Sequence, residues 1–453
     1  MFAASSWFWM ILLAACFASL WWCVRIFVQP FKQIPLAVYC VAYTVTTLIG
    51  GASIGLFGLD FFESLNYGED HSMLRDVSSF RYWFMLFAPL LIPPACVLLT
   101  ARVKKRRVER RPAHASQSGM ALPSFYAIVG IFAGFCGWKL HVNGYLGVIM
   151  LWHSDDADFN SLMLQRHDIF NSMGQAFFGI TYTVMPTMLH YALFQMVRTR
   201  SLDWTIAFLL TLLLTLFFNL SVFVKSFVLI NIIWLGLGLV LLKVIKLRSL
   251  AIFFACAFAG LTLMQSTIVE HWQLADSFRQ IVYRMSVAFP FYVNVYPDHL
   301  PFDGIYLGLN AIGIGEPSGV SEHVFNFMYP SITHIQGHAV AAAHVDAYAQ
   351  GGMLYAMTIV TLIGLMLAVM PEVASRLRGP TGYVLFVQLL IFTYYLTQTS
   401  LVTAVIGAYG FAWAIIGLLP LWIAERFVAS YGQPRRLPMR PGLATIATHG
   451  HRP

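Results

Sequence analysis

Apolar runs of about twenty residues, repeated along most of the chain, constrain it more than any other feature. A run of that length, helical at 1.5 Å per residue, crosses about 30 Å of hydrocarbon. Segments of a membrane barrel would instead alternate over about ten residues. The 453 residues are 58% hydrophobic and 11% charged, against roughly 25% charged in a soluble domain. The expected fold class is therefore all-α, a polytopic integral membrane protein with about eleven transmembrane helices.

The runs fall near 6–28, 36–59, 82–100, 121–140, 174–197, a 204–242 block holding two spans, 250–269, 353–370, 383–399 and 401–423. A large loop between spans 8 and 9 divides them. The expected organisation is spans 1–8 over 1–269, the loop over 270–352, spans 9–11 over 353–425, and a basic, Pro-rich tail over 426–453 expected to be disordered. The first run resembles a signal peptide in hydropathy but lacks a basic leader, so it is read as a span.

The net charge of +8 does not point to nucleic acid, because the basic residues lie in linkers beside spans. The densest run, ARVKKRRVERR from Ala101 to Arg111, marks a cytoplasmic linker and a contact for anionic membrane lipids. Alternating from it places Arg25/Lys32, Arg198/Arg200, Lys243/Lys246/Arg248, Arg376/Arg378 and the tail inside. The acidic segments Asp60–Asp76, Asp155–Asp168 and Glu270–Gly352 fall outside. This sets the N-terminus outside and the C-terminus inside. The six cysteines all lie in apolar runs, which argues against a disulfide framework or a zinc site. No phosphate-loop or dinucleotide motif is present, and GLNAIGIGEPSG reads as a loop. No cofactor and no metal are expected.

Residues able to carry chemistry gather in the loop. Arg279 and Arg284 lie in ADSFRQIVYRM, about 140° apart if helical; a local ion pair of Asp276 with Arg279 is the competing reading. Arginine's planar fork suits a diphosphate, and Lys225, in VFVKSFVL, would add a third cation. Snorkelling to the interface explains Lys225 equally well. His334, His338 and His344 lie close to Asp346 and Tyr348 without an HExxH pattern, so a general base or sugar-hydroxyl partner fits better than a metal ligand. A hydrogen-bonded packing role is the alternative for His344. Loop aromatics, including Tyr283, Phe291, Tyr292, Tyr296 and Phe302, suit sugar stacking or an interfacial belt. Asp298, Asp303, Glu316 and Glu322 are unranked candidate acids.

The hydropathy plan with a large outer loop resembles the bacterial oligosaccharide repeat-unit polymerases (Wzy-type), which are related to O-antigen ligases. Three short segments carry the resemblance: VFVKSFVLINII, with its basic residue at the start of a mid-chain span; FRQIVYR, an arginine-bearing helix; and HVDAYAQGGMLYAM, a polar-then-glycine entry to a span. The resemblance implies a metal-independent glycosyltransferase at the outer face of the inner membrane. Its substrates would be undecaprenyl-diphosphate-linked oligosaccharides, with a chain-length regulator as a further partner. It implies that Arg279, Arg284 and Lys225 bind the diphosphate, that His344 or His338 serves as catalytic base, and that Asp346 orients that base. Three other readings compete: an O-antigen ligase, a transporter or flippase of lipid-linked sugars, and an acyltransferase using His190.

Overall fold

The computed structural model describes residues 34–57, 69–74, 79–104, 122–144, 169, 172–221, 225–268, 283, 286–306, 318–331, 337–377, 379–407 and 410–431. These residues form helices and connections, with no strand among them. Among the described residues, six helical stretches are long and apolar enough to cross a membrane: Ile34–Leu56, Phe80–Thr100, Leu122–Val142, Leu202–Ser221, Ala343–Ala374 and Leu401–Phe427, the last of them interrupted after Ile406. Lipid offers no hydrogen bonds, so a chain of this composition satisfies its backbone within helices.

In chain order, α1 (Ile34–Tyr43) passes through a π-helical turn (Thr44–Leu48) into α2 (Ile49–Phe57). Then come α3 (Phe80–Lys104) and α4 (Leu122–Val142). Helical residues from 172 enter a second π turn (Ile180–Val184) and continue as α5 (Met185–Thr199). The hairpins α6 (Leu202–Ser221), α7 (Lys225–Leu241) and α8 (Leu247–Ile268) follow. Two short helices come next, α9 (Ala288–Val295) and α10 (Val320–Met328). The last four are α11 (Ala343–Arg376), α12 (Gly379–Tyr395), α13 (Leu401–Ile406) and α14 (Phe411–Tyr431). A helix thus lies over every expected apolar run that falls within the described residues; the first run lies outside them.

Three boundaries differ from expectation. The run expected as one span over 401–423 is divided, because Ser400 caps α13 by accepting from Thr403 N and the chain turns through Gly407 and Gly410 before α14. The expected tail begins later, since α14 continues to Tyr431. A further helical stretch, from Ala343, precedes the span expected from 353, the two separated by the non-helical Gly351 and Gly352.

Side-chain contacts fix the directions of the helices. His344 lies level with Met85, and a Cβ on Gly364 would meet Pro93 Cα at 2.9 Å, so α3 and α11 run parallel. α1 and α2 run against α3, through Tyr43 Oη on Leu86 O and Tyr82 Oη on Gly51 O. α12 runs against α11, with Ala343 N bonded to Leu396 O. It also runs against α5, where Phe194 and Tyr383 meet with ring centres 5.1 Å apart. α14 runs parallel to α5, since Gly179 faces Trp413 and Gly417 faces Val184. The bundle consequently has two chemically different ends. One carries Lys104, Arg198, Arg200, Lys243, Lys246 and Arg248. The other carries Asp298, Asp303 and Asp346, together with Arg81 and Lys139.

Much of the expected loop is buried at this second end. Every residue of α9 is buried. Ser286 Oγ donates to Thr46 O (3.0 Å), inside the first π turn, and Phe289 packs edge-on against Tyr82 at 4.9 Å. A π turn shifts the local carbonyl register, and here the loop takes up one of those oxygens.

Candidate active site

The site is built on the first two turns of α11. Residues 341–350 are all buried. The helix then breaks at Gly351 (φ −145, ψ 19) and Gly352 (φ 73, ψ −168). The positive φ at Gly352 is readily reached only without a Cβ, and Phe302 sits 3.1 Å from where one would be. A helix break orphans its last carbonyls. Here the segment 301–306 supplies the donors: Asp303 N bonds Ala349 O at 3.1 Å and Gly304 N bonds Gln350 O at 3.0 Å. The Gln350 side chain works in both directions. Its Oε1 accepts from Tyr306 N (3.0 Å), and its Nε2 donates to Asp346 Oδ2 (2.6 Å).

Asp346 is 8% exposed, and among the described residues no lysine or arginine pairs with it. Burying a carboxylate without a counter-charge is costly, which marks such a group for function. Two tyrosines from α9 and its C-cap lie close by. Tyr292 Oη donates to Ala339 O (3.0 Å). Tyr296 Oη is buried and has no partner among the described residues. Burial, and then the charge of Asp346, holds the Tyr292 hydroxyl in its protonated form. Tyr296 is raised likewise by burial, then Asp303, then Asp346.

A cation completes the site from α3. Arg81 Nη2 lies 2.8 Å from Asp298 Oδ2, and its guanidinium sits 5.9 Å from the Tyr348 ring centre. Tyr348 Oη in turn donates to Tyr296 O (3.0 Å). Tyr348 therefore links Arg81 to the backbone of Tyr296. At the rim, Ser318 Oγ donates to Asp303 Oδ2 (3.2 Å), His323 Nδ1 lies 3.9 Å from Asp303 Oδ1, and Ser321 Oγ lies 3.1 Å from His338 Nδ1.

The expected site residues separate in this arrangement. Asp346 faces the site. His344, two positions earlier and so about 200° round the helix, faces α3: its Nε2 is 3.0 Å from Met85 O, and its ring meets Tyr43 at 5.6 Å. The expected base–orienter pairing of His344 with Asp346 is therefore corrected, because a spacing of two positions cannot join side chains on one helical face. His338 is exposed at the rim and bonded to Ser321. Lys225 begins α7, and its side chain lies outside the described residues, as do Arg279, Arg284, His334 and Glu316. Tyr283, Phe291, Tyr292 and Tyr296 are 0–1% exposed, so they form neither a stacking surface nor a belt; Phe302, at 40%, is open. His190 is buried, with Nδ1 2.7 Å from Pro186 O one turn back.

Arg81 and Gln350 have no counterpart in the sequence reading. The signal for Arg81 was an arginine at the edge of an apolar run on the side where basic residues are scarce. Gln350 stands one turn after Asp346, immediately before two glycines. No family model, curated protein or solved structure matches the chain.

Proposed function

We propose that the protein is a polysaccharide polymerase. It would join undecaprenyl-diphosphate-linked oligosaccharide repeat units at the outer face of a bacterial inner membrane. The observation carrying this reading is that one end of a membrane bundle holds both a buried carboxylate with no basic partner among the described residues, Asp346, and an arginine, Arg81, set against the ring of Tyr348, two positions after Asp346. That end is read as the outer one, because lysine and arginine near span ends favour the cytoplasm. On this reading the helices over the shorter or less apolar runs (172–199, 225–241, 247–268 and 379–395) and the first apolar run are taken as further spans, eleven in all, with the N-terminus outside and the C-terminus inside.

The chemistry asked of the site is modest. An acceptor sugar hydroxyl attacks C1 of the donor sugar, the bond from C1 to the phosphate oxygen breaks, and lipid diphosphate leaves with the electron pair. A diphosphate is a stable leaving group, so fixed cations do more than an acid would. Arg81 is a cation for that role beside the expected Arg279, Arg284 and Lys225. An ion-paired arginine set over an aromatic ring, as Arg81 is over Tyr348, is not readily replaced by lysine.

The test is removal of the chain from its host, with complementation by the wild-type gene. Surface glycan is resolved by size and lipid-linked repeats are extracted. The reading requires single-repeat glycan and accumulated lipid-linked repeats without the chain, and long polymer once it is restored. Long polymer in its absence overturns the reading.

A further inference from the structure

Resting on the polymerase reading, we infer that Asp346 itself is the base that receives the acceptor hydroxyl's proton, and that the Tyr296 hydroxyl holds that acceptor oxygen beside it. Three observations carry this. Asp346 has one hydrogen-bonding partner among the described residues, the Gln350 amide on Oδ2, so the carboxylate has accepting capacity left over. The amide in turn is fixed by Tyr306 N, which holds the carboxylate's orientation from one side. Tyr296, 1% exposed, has a buried hydroxyl with no partner, in a protein whose other site tyrosines, Tyr292 and Tyr348, both donate to carbonyls.

An orphaned buried hydroxyl is costly to maintain unless something completes it. Its surroundings say what that would be. Asp346 and Asp303 both lie near enough to act on the Tyr296 hydroxyl electrostatically. A buried hydroxyl donor in the field of two carboxylates disfavours an anion and suits a neutral polyol. A sugar hydroxyl entering there accepts from Tyr296 Oη and donates to Asp346. The donor's diphosphate is drawn instead to Arg81, whose guanidinium lies 5.9 Å from the Tyr348 ring centre. Donor and acceptor are thus sorted by charge.

Proton and electrons balance without another reagent. The acceptor O–H proton passes to the Asp346 carboxylate as the oxygen forms its bond to C1. The C1–phosphate bond breaks, and its electron pair leaves on the lipid diphosphate. Gln350 and Tyr306 are positioning groups, since neither touches the reacting atoms.

The experiment uses the full chain in lipid nanodiscs, with undecaprenyl-diphosphate-linked repeats extracted from host cells lacking the chain. Release of lipid diphosphate is followed for wild type, Asp346→Asn, Asp346→Ala with and without formate, Tyr296→Phe and His338→Ala. Loss of a general base costs ~10²–10⁴-fold in rate, so Asp346→Asn is expected to fall into that range while still binding donor. Formate is expected to restore part of the Asp346→Ala rate, which a purely structural carboxylate would not permit. Tyr296→Phe is expected to raise the acceptor concentration needed about tenfold, the loss of one hydrogen bond. A rate lost in His338→Ala but kept in Asp346→Asn would move the base to His338 and overturn the assignment. Should Asp346→Ala not fold, Asp346→Asn, which keeps an acceptor for Gln350, still decides the point. An active wild type matched by Asp346→Asn overturns the assignment alone. A wild type that releases no lipid diphosphate overturns the polymerase reading and this assignment with it.

Discussion

Arg81 and Asp298, 217 residues apart in the chain, meet at 2.8 Å beside the Tyr348 ring. The pair ties the start of α3 to the end of α9, and both side chains are partly open to solvent, 29% and 56%. Exposed ion pairs contribute about 0–1 kcal/mol. Asp298→Ala should therefore leave the level of folded protein unchanged. Arg81→Ala should also fold, yet reduce polymerisation by ~10²–10³-fold through loss of a cation at the leaving group. Arg81→Lys should recover little, because the planar guanidinium over the Tyr348 ring is gone. Protein level in membranes and glycan length on a gel read both effects; equal activity in Arg81→Ala and wild type would remove Arg81 from the site.

His344 makes the opposite prediction. Its ring is fully buried, bonded to Met85 O and edge-on to Tyr43. His344→Ala leaves a cavity and an unsatisfied carbonyl, a loss of about 2–4 kcal/mol. Less folded protein and a lower Tm in detergent are expected, with activity per folded molecule nearly retained. Normal folding with abolished activity would return His344 to the chemistry.

The contrast between these residues shows what could be read from the sequence. The apolar runs marked where helices form, since a membrane helix must satisfy its own backbone whatever its neighbours. Asp346 stood out as a carboxylate in a small-residue stretch. The face it occupies did not, because nothing local reveals that the loop containing Tyr292 and Tyr296 folds back into the bundle. Arg81 was hidden for the same reason: its partners lie more than two hundred residues away. The histidines drew attention as titratable groups, although one of them serves packing.

Two glycines test the architecture. Gly364→Val places a side chain against Pro93 Cα, which a Cβ alone would meet at 2.9 Å. It should abolish folded protein by forcing α3 and α11 apart. Gly130→Val has open space within 4 Å and should be tolerated. Gly352→Ala lies between them: a left-handed backbone costs about 1–2 kcal/mol, and Phe302 must move as well. Fluorescence-detected size-exclusion profiles order the three; an intact Gly364→Val protein would contradict the parallel α3–α11 contact.

Orientation is open to labelling. With the natural cysteines replaced, His299→Cys lies at the acidic end and Asp203→Cys, in the first turn of α6, at the basic end. A membrane-impermeant maleimide should label position 299 in intact cells with a permeabilised outer membrane, and position 203 only after the inner membrane is broken. The reverse pattern would invert the assignment of faces.

The most direct measurement follows lipid diphosphate and glycan length together, using purified protein in sealed vesicles supplied with undecaprenyl-diphosphate-linked repeats. One molecule of undecaprenyl diphosphate released for each new glycosidic bond, with glycans lengthening by whole repeats, is the result predicted. Repeats that cross the bilayer or stay in place with no diphosphate released and no lengthening would contradict it.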